Sequence, residues 1–214
     1  FNSDAPDQGN MDLLVNTASP EIRDRYLKPL CDAETTSAFC MTEPSPGAGS
    51  DPQNLRTRAE QDSNGDWIIN GHKWYSTGGG RAAFLILMAR TSDDPRTGCT
   101  MFIVDRHAPG VEHLRDLSVM AEPLLTHREA ELTFTDVKVS SQSILGEVGQ
   151  GFFLAQRRLV PARVTHCMRW LGLADRALDM CKSYIRERKS FGKSLCEHQL
   201  IQKMIAENAT AIHA

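Results

Sequence analysis

Residues 39–51 read Phe39-Cys40-Met41-Thr42-Glu43-Pro44-Ser45-Pro46-Gly47-Ala48-Gly49-Ser50-Asp51. A short apolar run ends in a threonine and a glutamate. A proline-broken turn follows, and two glycines flank an alanine before Ser50 and Asp51. Glycines let backbone amides approach a ligand closely, and the hydroxyls of Thr42 and Ser50 can donate to carbonyl or phosphate oxygens. The stretch therefore reads as a strand end and loop suited to a polar, phosphorylated small molecule. A glycine loop alone is more often a plain turn, so its meaning rests on what surrounds it.

On the N-terminal side, residues 10–36 carry helical periodicity, with Leu13, Leu14, Ile22, Tyr26, Leu27 and Leu30 three to four apart. Ser19-Pro20-Glu21 supplies an N-cap followed by proline at the first helical position. On the C-terminal side the signals switch to short strands as far as residue 145. Asp66–Ile69 and Lys73–Ser76 flank Asn70-Gly71, a strong hairpin-turn dipeptide. Ala83–Arg90, Thr100–Asp105, Val111–Leu114, Ala130–Phe134 and Val137–Val139 read as further strands, parted by turn chemistry such as Ser92-Asp93-Asp94-Pro95 and Thr135-Asp136. Many short strands with no helix between them predict an antiparallel sandwich or barrel.

Gly146, Gly149 and Gly151 read as a flexible connection into a helix of more than about thirty residues, well above the globular mean. Its apolar positions run from Phe152 to Ile185, and Pro161 is expected to kink it. A second helix starts near Cys196. Stripes of this kind need further helices or another subunit to cover them. The predicted organisation is α+β: the end of a helical domain over 1–37, a β-domain over 38–145, and the start of a helical bundle over 146–214.

The chain has 214 residues, 41% hydrophobic and 24% charged, with a net charge of −3. That balance excludes the basic face that nucleic acid or an anionic membrane would require. No run approaches the roughly 18 apolar residues of a membrane span. Six cysteines without a C-x-x-C pair predict reduced thiols in an intracellular compartment. The seven histidines show no metal-ligand spacing, so no metal is expected. The chain opens at Phe1 and ends at Ala214 within a helical pattern, which reads as an internal fragment.

Three motifs in order carry a resemblance. After Phe39–Asp51 come Asn70-Gly71-His72-Lys73-Trp74-Tyr75-Ser76-Thr77-Gly78-Gly79, and then Glu187-Arg188-Lys189-Ser190-Phe191-Gly192-Lys193 with Gln199. Together with the helix–β–helix zoning they resemble the acyl-CoA dehydrogenase flavoproteins. With the opening Phe1-Asn2-Ser3-Asp4-Ala5-Pro6-Asp7-Gln8-Gly9-Asn10-Met11 and with His166-Cys167-Met168-Arg169 after Arg163, the resemblance is strongest to the branch whose animal members are sometimes fused to a phosphotransferase-like domain. It implies that family's fold, with an antiparallel β-barrel middle domain between helical domains, and FAD as cofactor. It also implies an acyl-CoA substrate, an electron-transferring flavoprotein as acceptor, and a homodimer or homotetramer. The compartment implied is the mitochondrial matrix or peroxisome in a eukaryote, or the cytoplasm in a bacterium. An acyl-CoA oxidase or nitroalkane oxidase shares the scaffold, and a non-catalytic interaction module would keep the same fold.

The resemblance also assigns residues. Phe39, Met41, Thr42, Gly49 and Ser50 would form one wall of the flavin site, with Ser50 also near the acyl-CoA thread. Tyr75 would cover the flavin face in place of the family's usual tryptophan, and Thr77 would sit near the flavin nitrogen that accepts hydride. Arg188, Ser190, Phe191 and Gln199 would reach the cofactor of a neighbouring protomer. Arg188 can fork onto a pyrophosphate, and Phe191 can stack on an aromatic system. Val160 and Arg163 would line the CoA channel. Ala162 stands where a subset of the family carries its catalytic glutamate, so the base is expected beyond residue 214 and no catalytic residue falls within the chain. One departure stands out: Ser45-Pro46 is added before Gly47 relative to the common family loop, and a bulge is expected there.

Overall fold

The computed structural model describes residues 6–49, 51–118 and 129–214, and these form two compact units, Phe1–Ala162 and Arg163–Ala214. In the first unit, helix α1 (Asp7–Thr17) leads to a second helical run: α2 (Pro20–Ile22), a π-wound turn (Arg23–Leu27) and α3 (Lys28–Cys31). The Ser19 side chain accepts from Ile22 N at 3.3 Å and Pro20 opens the helix, as the sequence predicts.

Eight strands follow: β1 (Ser37–Cys40), β2 (Arg58–Gln61), β3 (Trp67–Thr77), β4 (Phe84–Arg90), β5 (Cys99–Asp105), β6 (Val111–Leu117), β7 (Glu129–Val139) and β8 (Ile144–Leu145). Their order is β6-β7-β3-β2-β4-β5-β8, with β1 against β4. The expected antiparallel barrel is corrected on both counts. Among the described residues the sheet does not close, and β1 and β2 each pair with β4 in parallel. The parallel pair arises because the chain reaches β1 directly from the helices and leaves it through the 41–57 loop.

Every residue of β4 is buried, as expected of a strand covered on both faces. Phe84, Ile86 and Met88 join Met101 and Ile103 in a core with Leu13, Leu14 and Leu30 from the helices. The alternate residues, Leu85, Leu87 and Ala89, face a second core with Phe102, Ile69, Leu132 and Val137. Period-two alternation thus sends one strand's side chains into two cores.

Two expected turns are absent. Asn70-Gly71 lies inside β3 rather than at a hairpin tip, and the β2–β3 turn falls at Asp62–Gly65, closed by Asp62 N donating to Asp66 O at 2.8 Å. Gly71 is glycine because a Cβ there would collide with the Thr57 side chain. Thr135-Asp136 is likewise absorbed into β7, with Asp136 at φ 48° and its amide donating to Asn70 Oδ1 at 2.8 Å. The Gly146–Gly151 connection is packed rather than loose. Gly149 N donates to Thr100 Oγ1 at 3.0 Å, and a Cβ on Gly151 would stand 2.7 Å from Cys99 O.

Gly110 turns the chain into β6 at φ +89°, where a Cβ would overlap the Thr135 carbonyl oxygen. Gly110→Ala should cost at least about 2 kcal/mol, since it combines a left-handed alanine with a backbone clash. Gly192→Ala, also at positive φ but with nothing within 4 Å of its Cβ, should cost about 1 kcal/mol. Denaturant midpoints of the two variants check the difference.

Helix α4 spans Gly151–Glu187, with Pro161 inside it. The second unit continues as a two-residue hairpin, β9 (Lys189–Ser190) with β10 (Lys193–Ser194), and helix α5 (Gln199–His213). No helix is long and apolar enough to cross a membrane among the described residues.

Candidate functional site

The first two motifs meet in the first unit. Beyond β1 the chain continues beside β3, and Trp74 N donates to Thr42 O at 3.0 Å. The added residues are folded out as a small turn. Gly47 N donates to Pro44 O at 2.8 Å, and Glu43 N donates to Ala48 O at 2.7 Å across its base. Ser45 and Pro46 are exposed on its tip, so the bulge leaves the ends of the loop in register. Ser50 lies outside the described residues.

Phe39, Met41 and Thr42 are partly buried. The Thr42 hydroxyl makes no hydrogen bond among the described residues and can donate to a ligand. A Cβ at exposed Gly49 would meet nothing within 4 Å, so the loop backbone there is open to close approach. Tyr75 sits in a β-bulge of β3 against β7, at φ 49° and 45% exposed, with its ring edge-on to Trp74 at 5.0 Å between centroids. The bulge places two residues opposite one and re-aims a side chain, which is why Tyr75 points outward between buried Lys73 and Ser76. The Thr77 hydroxyl is committed, donating to both oxygens of Glu129 at 3.0 and 2.9 Å.

Three of the buried charges that escaped the sequence reading lie around this loop and Phe39. Lys73 is fully buried and its Nζ donates to Glu43 Oε1 at 2.8 Å and to Met41 O at 2.9 Å. Glu43 in turn accepts from the amides of Thr57 at 2.9 Å, Arg56 at 2.7 Å and Ala48 at 3.3 Å. Burial alone would raise the Glu43 carboxyl, but Lys73 and these donors outweigh it and hold it below the usual carboxylate range. Burial pushes the Lys73 ammonium down. Arg158, on α4, lies 4.0 Å over the Phe39 ring and donates through Nε to Asn10 Oδ1 at 2.7 Å. Burial pushes its guanidinium down to about 10.

Signals for these charges existed. Lys73 continues the inward alternation of Trp67 and Ile69, and Arg158 follows Leu154 and Ala155 at helical spacing.

The third motif lies in the second unit. Phe191 and Gly192 are the two turn residues of the β9–β10 hairpin, at φ 52° and 81°. Positive φ at both central positions defines a type I′ turn, so Gly192 serves the hairpin. The turn holds Phe191 95% exposed, in edge contact with His198 at 6.4 Å. Ser190 is partly buried, and its carbonyl accepts from the His198 ring at 3.1 Å. Arg188 and Gln199 are exposed, as is Arg163. Val160, 59% exposed, belongs to the first unit. Among the described residues no group of His, Cys, Asp or Glu could hold a metal ion.

The acyl-CoA dehydrogenase middle domain matches residues 38–137 and the acyl-CoA dehydrogenase C-terminal domain matches residues 149–214. The chain is 40% identical over 214 residues to acyl-CoA dehydrogenase family member 11 of Gallus gallus, covering 97% of this chain and 27% of that protein. It is 39% identical over 216 residues to the Mycobacterium tuberculosis protein named "Probable acyl-CoA dehydrogenase FadE2", covering 99% and 52%. Among solved structures, butyryl-CoA dehydrogenase from Megasphaera elsdenii superposes with a TM-score of 0.88 at 31% identity, covering 95% of this chain and 52% of that one. The chain spans about half or less of the length of these relatives.

Proposed function

Because the chain belongs to the acyl-CoA dehydrogenase family, an oxidoreductase family, we propose that it forms part of an FAD-dependent enzyme that desaturates an acyl-CoA thioester between its α and β carbons. In this reading residues 1–37, 38–145 and 146–214 are parts of its N-terminal, middle and C-terminal domains. The observation that carries it is the joining of the first two motifs: Trp74 N on Thr42 O brings an open glycine loop, a ligand-ready hydroxyl and an outward aromatic to one place.

These residues fit a flavin. Thr42 would donate to the ring edge, Phe39 and Met41 would line the approach, and Gly49 would admit phosphate oxygens. Tyr75 covers one face. Thr77 serves only if its hydroxyl turns from Glu129. FAD, when bound, accepts the β-hydrogen as hydride. Val160 and Arg163 line the thioester channel, and water exclusion there strengthens stabilisation of the developing enolate oxygen. Ala162 cannot act as a base, so another carboxylate must remove the α-proton. An electron-transferring flavoprotein would serve as the electron acceptor.

Exposed Phe191 and Arg188 suit a cofactor bound by a second protomer in a homodimer or homotetramer. Arg188→Ala in the native-length protein should weaken FAD binding about 10- to 100-fold, the worth of charge-assisted hydrogen bonds to a pyrophosphate. Titration of the apoprotein with FAD reads the change.

Anaerobic mixing with acyl-CoA tests the activity itself. Bleaching of the flavin absorbance followed by slow reoxidation in air is the expected result. Rapid reoxidation with peroxide release would instead identify an oxidase, and no bleaching by any acyl chain length would leave a non-catalytic module.

A further inference from the structure

The function proposed for Thr42 depends on where its main chain is held, and that is decided by a buried ion pair. Lys73 is 0% exposed and Glu43 4%. As a source of stability such a pair is weak, because removing two charges from water offsets most of their attraction, and a hydrocarbon pair of similar volume often folds as well. Its contacts give it a different use. Thr42 lies between Met41, whose carbonyl accepts from Lys73 Nζ at 2.9 Å, and Glu43, whose carboxylate accepts from the same nitrogen at 2.8 Å. One ammonium on β3 therefore holds the main chain at Met41 on one side of Thr42 and the Glu43 side chain on the other. The residue after Lys73 completes the clamp, with Trp74 N on Thr42 O at 3.0 Å. Glu43 extends it across the loop to the amides of Ala48, Arg56 and Thr57.

We propose that Lys73 is a positioning residue for the cofactor: through Met41 and Glu43 it fixes the Thr42 hydroxyl and the glycine loop relative to the Tyr75 bulge. An apolar side chain could fill the same volume but could not bind the Met41 carbonyl and the Glu43 carboxylate together. The inference rests on the reading of this wall as a flavin site.

The test uses the native-length protein. Lys73→Met alone leaves Glu43 buried and unpaired, so the informative variant is the double substitution Glu43→Gln with Lys73→Met, which removes both charges. Apoprotein of wild type and double variant is titrated with FAD, while circular dichroism melting measures folding and the visible flavin band reports the ring's surroundings. The expected result is a double variant that melts near wild type yet binds FAD at least about tenfold more weakly, with a shifted band.

A double variant that folds and matches wild type in FAD affinity and spectrum overturns the inference alone. Failure of wild type to take up FAD overturns the cofactor reading and this inference with it. Should the double variant not fold, hydrogen exchange in wild type decides. FAD must slow exchange of the Trp74 amide, and unchanged protection there sinks the proposal.

Discussion

Glu43→Ala is expected to lower the unfolding free energy by about 3–5 kcal/mol, the usual cost of removing one partner from a buried pair. The loss does not equal the strength of the Glu43–Lys73 contact. It comes from what is left behind: the fully buried Lys73 ammonium keeps only the Met41 carbonyl, and the amides of Arg56, Thr57 and Ala48 lose their acceptor. Glu43→Gln keeps an acceptor oxygen and should lose less. The same carboxylate predicts the acid limb of stability. Its folded pKa lies below the ordinary 4.5, so the folded state holds the proton less tightly than the unfolded chain. The stabilisation is therefore fully present above about pH 4.5 and drains away as pH falls through the lowered folded value. Urea midpoints at neutral pH and in the acid range should converge between wild type and Glu43→Gln as the pH drops; parallel curves would show that Glu43 is not the group titrating.

Arg90→Met should cost about 3–5 kcal/mol as well, for a reason that involves no carboxylate. Arg90 ends β4 at 6% exposure, and its guanidinium donates to five backbone carbonyls: Leu55 at 3.0 Å, Pro52 at 3.3 Å, Gln53 at 2.7 Å, Ser92 at 3.2 Å and Asp94 at 3.3 Å. One side chain thus gathers two loops, 52–55 and 92–94. Methionine fills the channel but strands those oxygens, and the segment after the glycine loop loses its anchor. Limited proteolysis should reveal new cleavage in both loops together with the lowered midpoint. Arg58→Ala supplies the contrast: it breaks the 2.8 Å pair with Asp93, in which the side chains are 51% and 84% exposed. Solvent already screens that pair, and the midpoint should not move. A large effect at Arg58 with none at Arg90 would reverse the argument.

Much of the fold was legible where a pattern repeats. The Ser19-Pro20 cap, the β4 run and the long amphipathic helix are local signals, and each appears in place. Asn70-Gly71 failed because its turn preference is also only local. Pairing of β3 with β7 on one side and β2 on the other outweighs a two-residue propensity, and Gly71 is required by contact with Thr57 instead. Barrel closure failed for a related reason, since strand order and parallel pairing are set by contacts far apart in the chain.

Residue type and spacing alone carried the family resemblance and the order of its three motifs. Where their side chains sit depends on contacts between distant strands. The tertiary structure turned Tyr75 outward through a bulge, bound the Thr77 hydroxyl to Glu129, and put the Phe191 ring on the tip of a type I′ hairpin. It also buried Lys73 against Glu43, thirty residues away in sequence. A charge in the interior needs its partner and its hydrogen bonds delivered from other strands, and no local pattern names that partner.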